Sequence, residues 1–184
     1  LYDNALFGTA LIETYQVSGK KEFSDFANDL FQYIDRDMTS QEGAFFSAED
    51  ADSEGIEGKF YVWTQEEVEK ILGRKTSSVA IPYYNITPKG NFDGKNILNI
   101  TRGPKTIAKE LGMQEVTVIN ELQIARDKLL EIRSQRIRPL LDDKILTSWN
   151  ALMISAMAKT GRVMEDADRT QKAARAMKFI LTHL

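Results

Sequence analysis

The segment from Gly43 to Thr64 places five carboxylates, Glu49, Asp50, Asp52, Glu54 and Glu57, between two short aromatic runs, Phe45-Phe46 and Phe60-Tyr61-Val62-Trp63. Like charges this close coexist through solvent, a bound cation, basic partners or proton uptake by some members. A second acidic group, Asp142-Asp143, is followed directly by Lys144. Two carboxyl groups facing one cavity can do general acid/base work when one stays protonated and the other stays ionised. Asp50-x-Asp52-x-Glu54-Gly55 also follows the opening of an EF-hand calcium loop. The twelfth position, however, holds Tyr61 where a bidentate carboxylate is needed, and no flanking helix pair is evident, so no metal is expected. The competing reading is a solvated turn at the first group and a helix cap at the second.

Composition narrows the chemistry. The chain has 184 residues, 42% apolar and 28% charged, which suits one soluble domain over residues 1–184 with a sizeable core. A net charge of -3 provides no basic field, so neither nucleic acid nor an anionic membrane is the expected partner. The absence of cysteine excludes disulfides, thiolate metal sites and a cysteine nucleophile within this chain, and leans towards the cytoplasm. A chain starting at Leu1 without a basic-then-apolar leader reads as a soluble segment of something longer. No Gly-rich phosphate motif is present, and no cofactor is expected.

The elements that must position these groups are mostly helices. Tyr2, Leu6, Ala10, Leu11 and Tyr15 recur at helical spacing up to Gly19, and Phe23, Phe26, Ala27, Leu30, Phe31 and Ile34 continue the pattern, which predicts an antiparallel helical hairpin. The period then changes, predicting a small β-hairpin over about 43–64. Thr64-Gln65-Glu66-Glu67 is a capping box for a helix ending at Gly73. Residues 84–104 read as irregular, and helices are predicted over 105–111 and about 114–134. Asp142 or Asp143 is expected to cap a helix running to about Lys159, stopped by Gly161, and a last helix carries Ala173, Ala176, Met177, Ile180, Leu181 and Leu184. Asn4-Ala5-Leu6 and Asn150-Ala151-Leu152 open similar helices, and Ser18-Gly19 and Thr160-Gly161 are expected to close them, the mark of a repeated hairpin. Such pairs bury both faces only by stacking into a curved or closed array, with the helices near Asp3 and Asp142 starting at one rim.

The acidic segment, Gly90-Asn91-Phe92-Asp93-Gly94, the run from Arg138 to Asn150 and the opening Leu1-Tyr2-Asp3-Asn4-Ala5-Leu6 closely resemble the spermatogenesis-associated protein 20 family of thioredoxin-domain-containing proteins. The resemblance runs through essentially the whole segment. It implies a fragment of a longer protein whose N-terminal part is thioredoxin-like, a part this segment lacks, and whose remainder is an α/α toroid similar to six-hairpin glycosidases. The fold expectation is therefore mainly α, an incomplete toroid of helical hairpins with a small β-hairpin insertion. The associated carbohydrate metabolism is a fold-level expectation.

With that fold, the rim would carry Asp50, Asp52, Asp142 and Asp143 as candidate catalytic carboxylates for attack at a glycosidic bond, with Asp3, Asn4, Glu49, Lys144, Trp149 and Asn150 as ligand-binding groups. Trp149, Trp63, Phe45, Phe46 and Tyr61 could stack on the apolar face of a pyranose, although their spacing also suits a core. Arg126, Lys128, Arg133, Arg136 and Arg138 suit a phosphate, a uronate carboxylate or the acidic loop, against a solvated helix face as the simpler reading. The functional expectation is binding or processing of a carbohydrate-like small molecule. The alternative is a non-catalytic protein-interaction module accompanying a thioredoxin-like domain, whose exposed apolar surface would favour a homodimer in isolation.

Overall fold

Helical periodicity at the start of the chain produces α1 (Tyr2–Ser18) and α2 (Lys21–Asp37), separated by Gly19 in the left-handed conformation (φ 66°). The computed structural model describes residues 1–184 and is mainly α, with seven helices and four two-residue strands. The chain divides into two compact units, residues 1–50 with 141–184, and residues 51–140. No helix is long and apolar enough to cross a membrane.

The first unit contains α1, α2, β1 (Ala48–Glu49), β4 (Leu141–Asp142), α6 (Thr147–Val163) and α7 (Ala167–His183). The expected repeat is present as two helical hairpins whose four helices each have 17 residues. Position for position, buried Ala5, Gly8, Leu11 and Ile12 of α1 correspond to buried Asn150, Met153, Ala156 and Met157 of α6. The structural match is thus one residue out of step with the Asn4/Asn150 match read from the sequence, because burial follows the packed face and not the identity of the residues. The helices α1 and α6 lie parallel, since the Tyr2 and Trp149 rings meet near their starts and Glu13 pairs with Lys159 further along. Phe31, Ile34, Met38, Phe45, Met153, Met157, Ala173 and Ala176 fill the core of this unit. Burying a side chain the size of Phe or Ile contributes about 1.5–3 kcal/mol.

Close helix approach is built into the sequence. A Cβ on Gly8 would lie 2.7 Å from Cζ of Phe31, so only glycine lets α1 and α2 touch there. Gly161 has the same role against α7, where a Cβ would lie 2.4 Å from Oγ1 of Thr170. The expectation that Gly161 stops its helix is therefore corrected: α6 continues to Val163 and the turn is made at Glu165 (φ 55°). The expected start of that helix also changes. Leu141 and Asp142 pair antiparallel with Glu49 and Ala48, so neither Asp142 nor Asp143 caps α6, which begins at Thr147 after Leu146.

The second unit holds β2 (Asp52–Ser53), β3 (Ile56–Glu57), α3 (Gln65–Tyr83), α4 (Pro104–Leu111) and α5 (Glu115–Ser134). The β-hairpin lies within the predicted segment but is much tighter. Asp52 pairs with Glu57 and Ser53 with Ile56 across a two-residue loop, Glu54-Gly55, in which both residues have positive φ, as a primed hairpin turn requires. The aromatic flanks pair elsewhere, Phe45 with Thr39 and Trp63 with Asn96. The capping box forms as read: Glu67 N–H donates to Thr64 Oγ1 at 3.1 Å, and Thr64 N–H donates to Glu67 Oε2 at 2.8 Å. Gly73 (φ 71°, ψ 169°) breaks the helical backbone at the predicted stop, and the chain resumes helix beyond it as far as Tyr83. The core of this unit gathers Trp63, Val68, Leu72, Ala80, Ile86, Ala125 and Leu129, with Val79, Ile107, Ala108, Val118 and Leu122 forming a second cluster.

Candidate functional site

The first unit brings together several of the residues singled out from the sequence. The starts of α1 and α6 present Tyr2 and Trp149, whose ring centroids are 4.9 Å apart at an interplanar angle of 58°. Tyr2 is 41% exposed and Trp149 half-buried. Asp3 is exposed in the first turn of α1, next to half-buried Asn4. The amino group of Leu1 donates to the Ser47 carbonyl at 2.8 Å, and Ser47 in turn donates through N–H and Oγ to the Asp142 carbonyl at 3.2 and 3.0 Å. One chain of hydrogen bonds therefore ties the start of α1 to both strands of the β1–β4 ladder.

Asp142 has both carboxylate oxygens on the Lys144 ammonium, at 2.6 and 2.7 Å. This pairing, with smaller help from Ser47 and the Lys144 backbone N–H, holds its carboxyl below the ordinary aspartate value against a modest opposing effect of burial. It stays ionised and is suited to accept hydrogen bonds, and its shift runs opposite to what a general acid needs. Asp143, the next residue, is exposed.

Glu49 leaves the ladder differently. It is half-buried and accepts a hydrogen bond from the Tyr33 hydroxyl at 2.9 Å. The register sets Glu49 opposite Leu141 and Asp142 opposite Ala48, so alternation along the strands sends the two carboxylates off opposite faces. Asp50 is exposed and ends the first unit, whereas Asp52 belongs to the second and lies opposite Glu57 in the β2–β3 hairpin. The acidic loop forms a tight hairpin, and no group of three or more His, Asp or Glu side chains is placed to hold a metal ion.

Asn150 is corrected from ligand-binding group to internal clamp. It is fully buried, its Nδ2 donates to the carbonyls of Phe45 (2.9 Å) and Leu146 (3.1 Å), and its Oδ1 accepts from Phe45 N–H at 2.9 Å. These bonds use the amide fully on the backbone. Asn96 is the equivalent clamp in the second unit: its Nδ2 donates to Trp63 and Thr87 carbonyls and its Oδ1 accepts from Thr87 N–H. Nothing in the spacing around Asn96 marked it, because its partners are backbone groups of other loops.

The basic stretch is not merely a solvated helix face. Arg136 lies over the Trp63 ring at 3.8 Å, and its Nη1 donates to the carbonyls of Phe60 (2.9 Å) and Val62 (2.8 Å). Arg133 is placed over Phe60 and Tyr61, and Arg138 over Phe60. The aromatic run 60–63 is thus a platform for guanidinium groups, which uses those rings in cation–π contact within the protein. The sequence carried no local signal for this pairing, because the aromatic run at 60–63 and the arginines at 133–138 lie about seventy positions apart.

No family model matches the chain. Its sequence is 32% identical to human spermatogenesis-associated protein 20 over 209 aligned positions that take in all of this chain and 27% of that protein. The rat protein of the same name is 30% identical over all of this chain and 26% of its own length, and an uncharacterised Caenorhabditis elegans protein is 25% identical over 98% of this chain and 28% of its own. The chain spans about a quarter of the length of the curated relatives it matches. Along its whole length this chain is similar to the proteins named spermatogenesis-associated protein 20.

Proposed function

We propose that the first unit binds a carbohydrate-like ligand at the end where α1 and α6 begin. The observation that carries this reading is the partly exposed Tyr2–Trp149 ring pair, with Asp3 next to Tyr2 in sequence and the Asp142–Lys144 pair a few residues before Trp149. Aromatic faces cover the apolar side of a sugar ring, and charged hydrogen-bonding groups take its hydroxyls. In this reading Asp142 accepts from hydroxyls, and any general acid/base chemistry gives it the basic role, with the acid drawn from Asp50 or Asp143 of the same unit. The toroid, the thioredoxin-like partner domain and the glycosidase-like activity of a whole family member are expectations that accompany this reading.

The test uses Trp149 emission in a Trp63→Phe background during titration with neutral and acidic oligosaccharides. Saturable quenching is expected, with about tenfold weaker binding in Tyr2→Ala, the loss expected for about 1.4 kcal/mol of stacking. Absence of a response across the panel defeats the reading. A second reading, an interaction module, is favoured by the large apolar side chains exposed on this unit, among them Phe7 (58%), Val17 (91%) and Leu181 (78%). Concentration-dependent self-association or capture of a defined partner, unaltered by saccharide, would support that reading instead.

A further inference from the structure

The second unit contains a separate polar cleft of about 310 Å³, formed by the hairpin segment 53–62, Glu67, Lys95 and residues 135–137. Its central group is Arg136. Both N–H bonds of Nη1 are engaged by the Phe60 and Val62 carbonyls, and the guanidinium plane is held on Trp63. The remaining edge, Nε with Nη2, makes no hydrogen bond within the protein, and its nearest anion, Glu67 Oε1, stands at 3.7 Å from Nη2. That edge is the two-pronged donor which matches a carboxylate. It is also rigid, because the other end of the guanidinium is fixed, so little is lost in ordering it around a ligand.

The remaining lining sets the ligand class. Lys59 is matched by Glu54 at 2.7 Å, and Lys95 has no side-chain partner, so three cations stand against the two carboxylates Glu54 and Glu67. An excess of one positive charge favours a monoanion. Phe60, Val62 and Ile137 supply an apolar wall, and Ser53 Oγ, which donates to the Ile137 carbonyl at 2.5 Å, pins that wall in place. We infer that this cleft is a receptor for a small organic carboxylate with an apolar body, gripped by the free edge of Arg136 and assisted by Lys95. This site is independent of the ligand reading for the first unit.

The experiment titrates the intact chain carrying Trp149→Phe, so that Trp63 beneath Arg136 is the emission reporter. The probes are phenylacetate, its neutral counterpart benzyl alcohol, and inorganic phosphate. Phenylacetate is expected to give a saturable change, with phosphate weaker and benzyl alcohol without effect. Two variants that preserve the fold move the affinity in opposite directions. Lys95→Gln removes an assisting charge and weakens phenylacetate about two- to fivefold, the range of a surface charge pair. Glu67→Gln removes the competing anion while glutamine keeps the capping box, and it tightens binding by a similar factor. The inference is overturned by no saturable response to phenylacetate, by an equal response to benzyl alcohol, by phosphate binding as tightly, or by an affinity that neither variant moves. A purely structural Arg136 gives no such opposed pair of shifts.

Discussion

The two units use one device, a buried asparagine clamping backbone, at very different sequence range. In the first, Asn150 grips Phe45 across 105 positions, whereas in the second Asn96 grips Trp63 across 33. Closing the longer loop costs only about 1 kcal/mol more, since loop entropy grows with the logarithm of length. A clamp is therefore nearly as affordable across an inserted unit as within one. What differs is the surrounding support: paired 17-residue helices around an apolar core in the first unit, and in the second a loop platform held by Arg136 on aromatic rings.

The strongest test of this contrast is Phe31→Ala, which empties the first unit's core and is expected to cost about 3–5 kcal/mol. Urea unfolding read separately from Trp149 and Trp63 should show the Trp149 transition moving while the Trp63 transition stays. Coincident movement would make the two units one cooperative block. Next in size, Asn150→Ala and Asn96→Ala each strand buried backbone groups, at about 2–3 kcal/mol. Hydrogen exchange should show Phe45 N–H losing protection in the first variant and Thr87 N–H in the second. Protection unchanged at those amides would deny the clamps their role.

Smaller effects sharpen the comparison. Thr64→Ala removes the cap of α3 and is expected to cost about 1 kcal/mol in the second unit alone, measurable as a shift of the Trp63 transition. Acid separates the units as well. In the second, hydrogen bonds from Lys75 and then Thr76 hold Glu121 below its ordinary value of 4.5. In the first, Asp142 and Asp166 are held below 3.8, chiefly by Lys144 and by the Arg169 backbone N–H respectively. A carboxylate depressed in the folded state stabilises fully above its unfolded pKa, and that stabilisation is lost as pH falls through the folded value. The second unit should therefore begin to weaken near pH 4.5 and the first only below about 3.8; melting followed at each tryptophan checks the order, and simultaneous loss would contradict it.

Local patterns made much of the fold readable. The helices α1, α2 and α5, the Ala27–Phe31–Ile34 face of α2, the Thr64–Glu67 box and the break at Gly73 all follow from residues within a turn or two. By contrast, α1 buries Ala5, Gly8, Leu11 and Ile12 and leaves Tyr2 and Leu6 of its predicted stripe exposed. The errors are of another kind. Asp142 looked like a cap because carboxylates suit helix starts, yet its strand pairs with Ala48–Glu49 far back in the chain. Gly161 looked like a stop, but serves the approach of α7. Asn150, beside the half-exposed Trp149, looked like a ligand group until packing buried it.

The sequence by itself determined which stretches become helix and where the tight hairpin lies, because spacing, caps and turn residues act over one or two helical turns. Only the tertiary structure decided which side of the β1–β4 ladder each carboxylate leaves, which asparagine is spent on backbone, and which arginine keeps a free edge. Those outcomes depend on partners tens of residues away, and burial changes what a polar side chain is available to do.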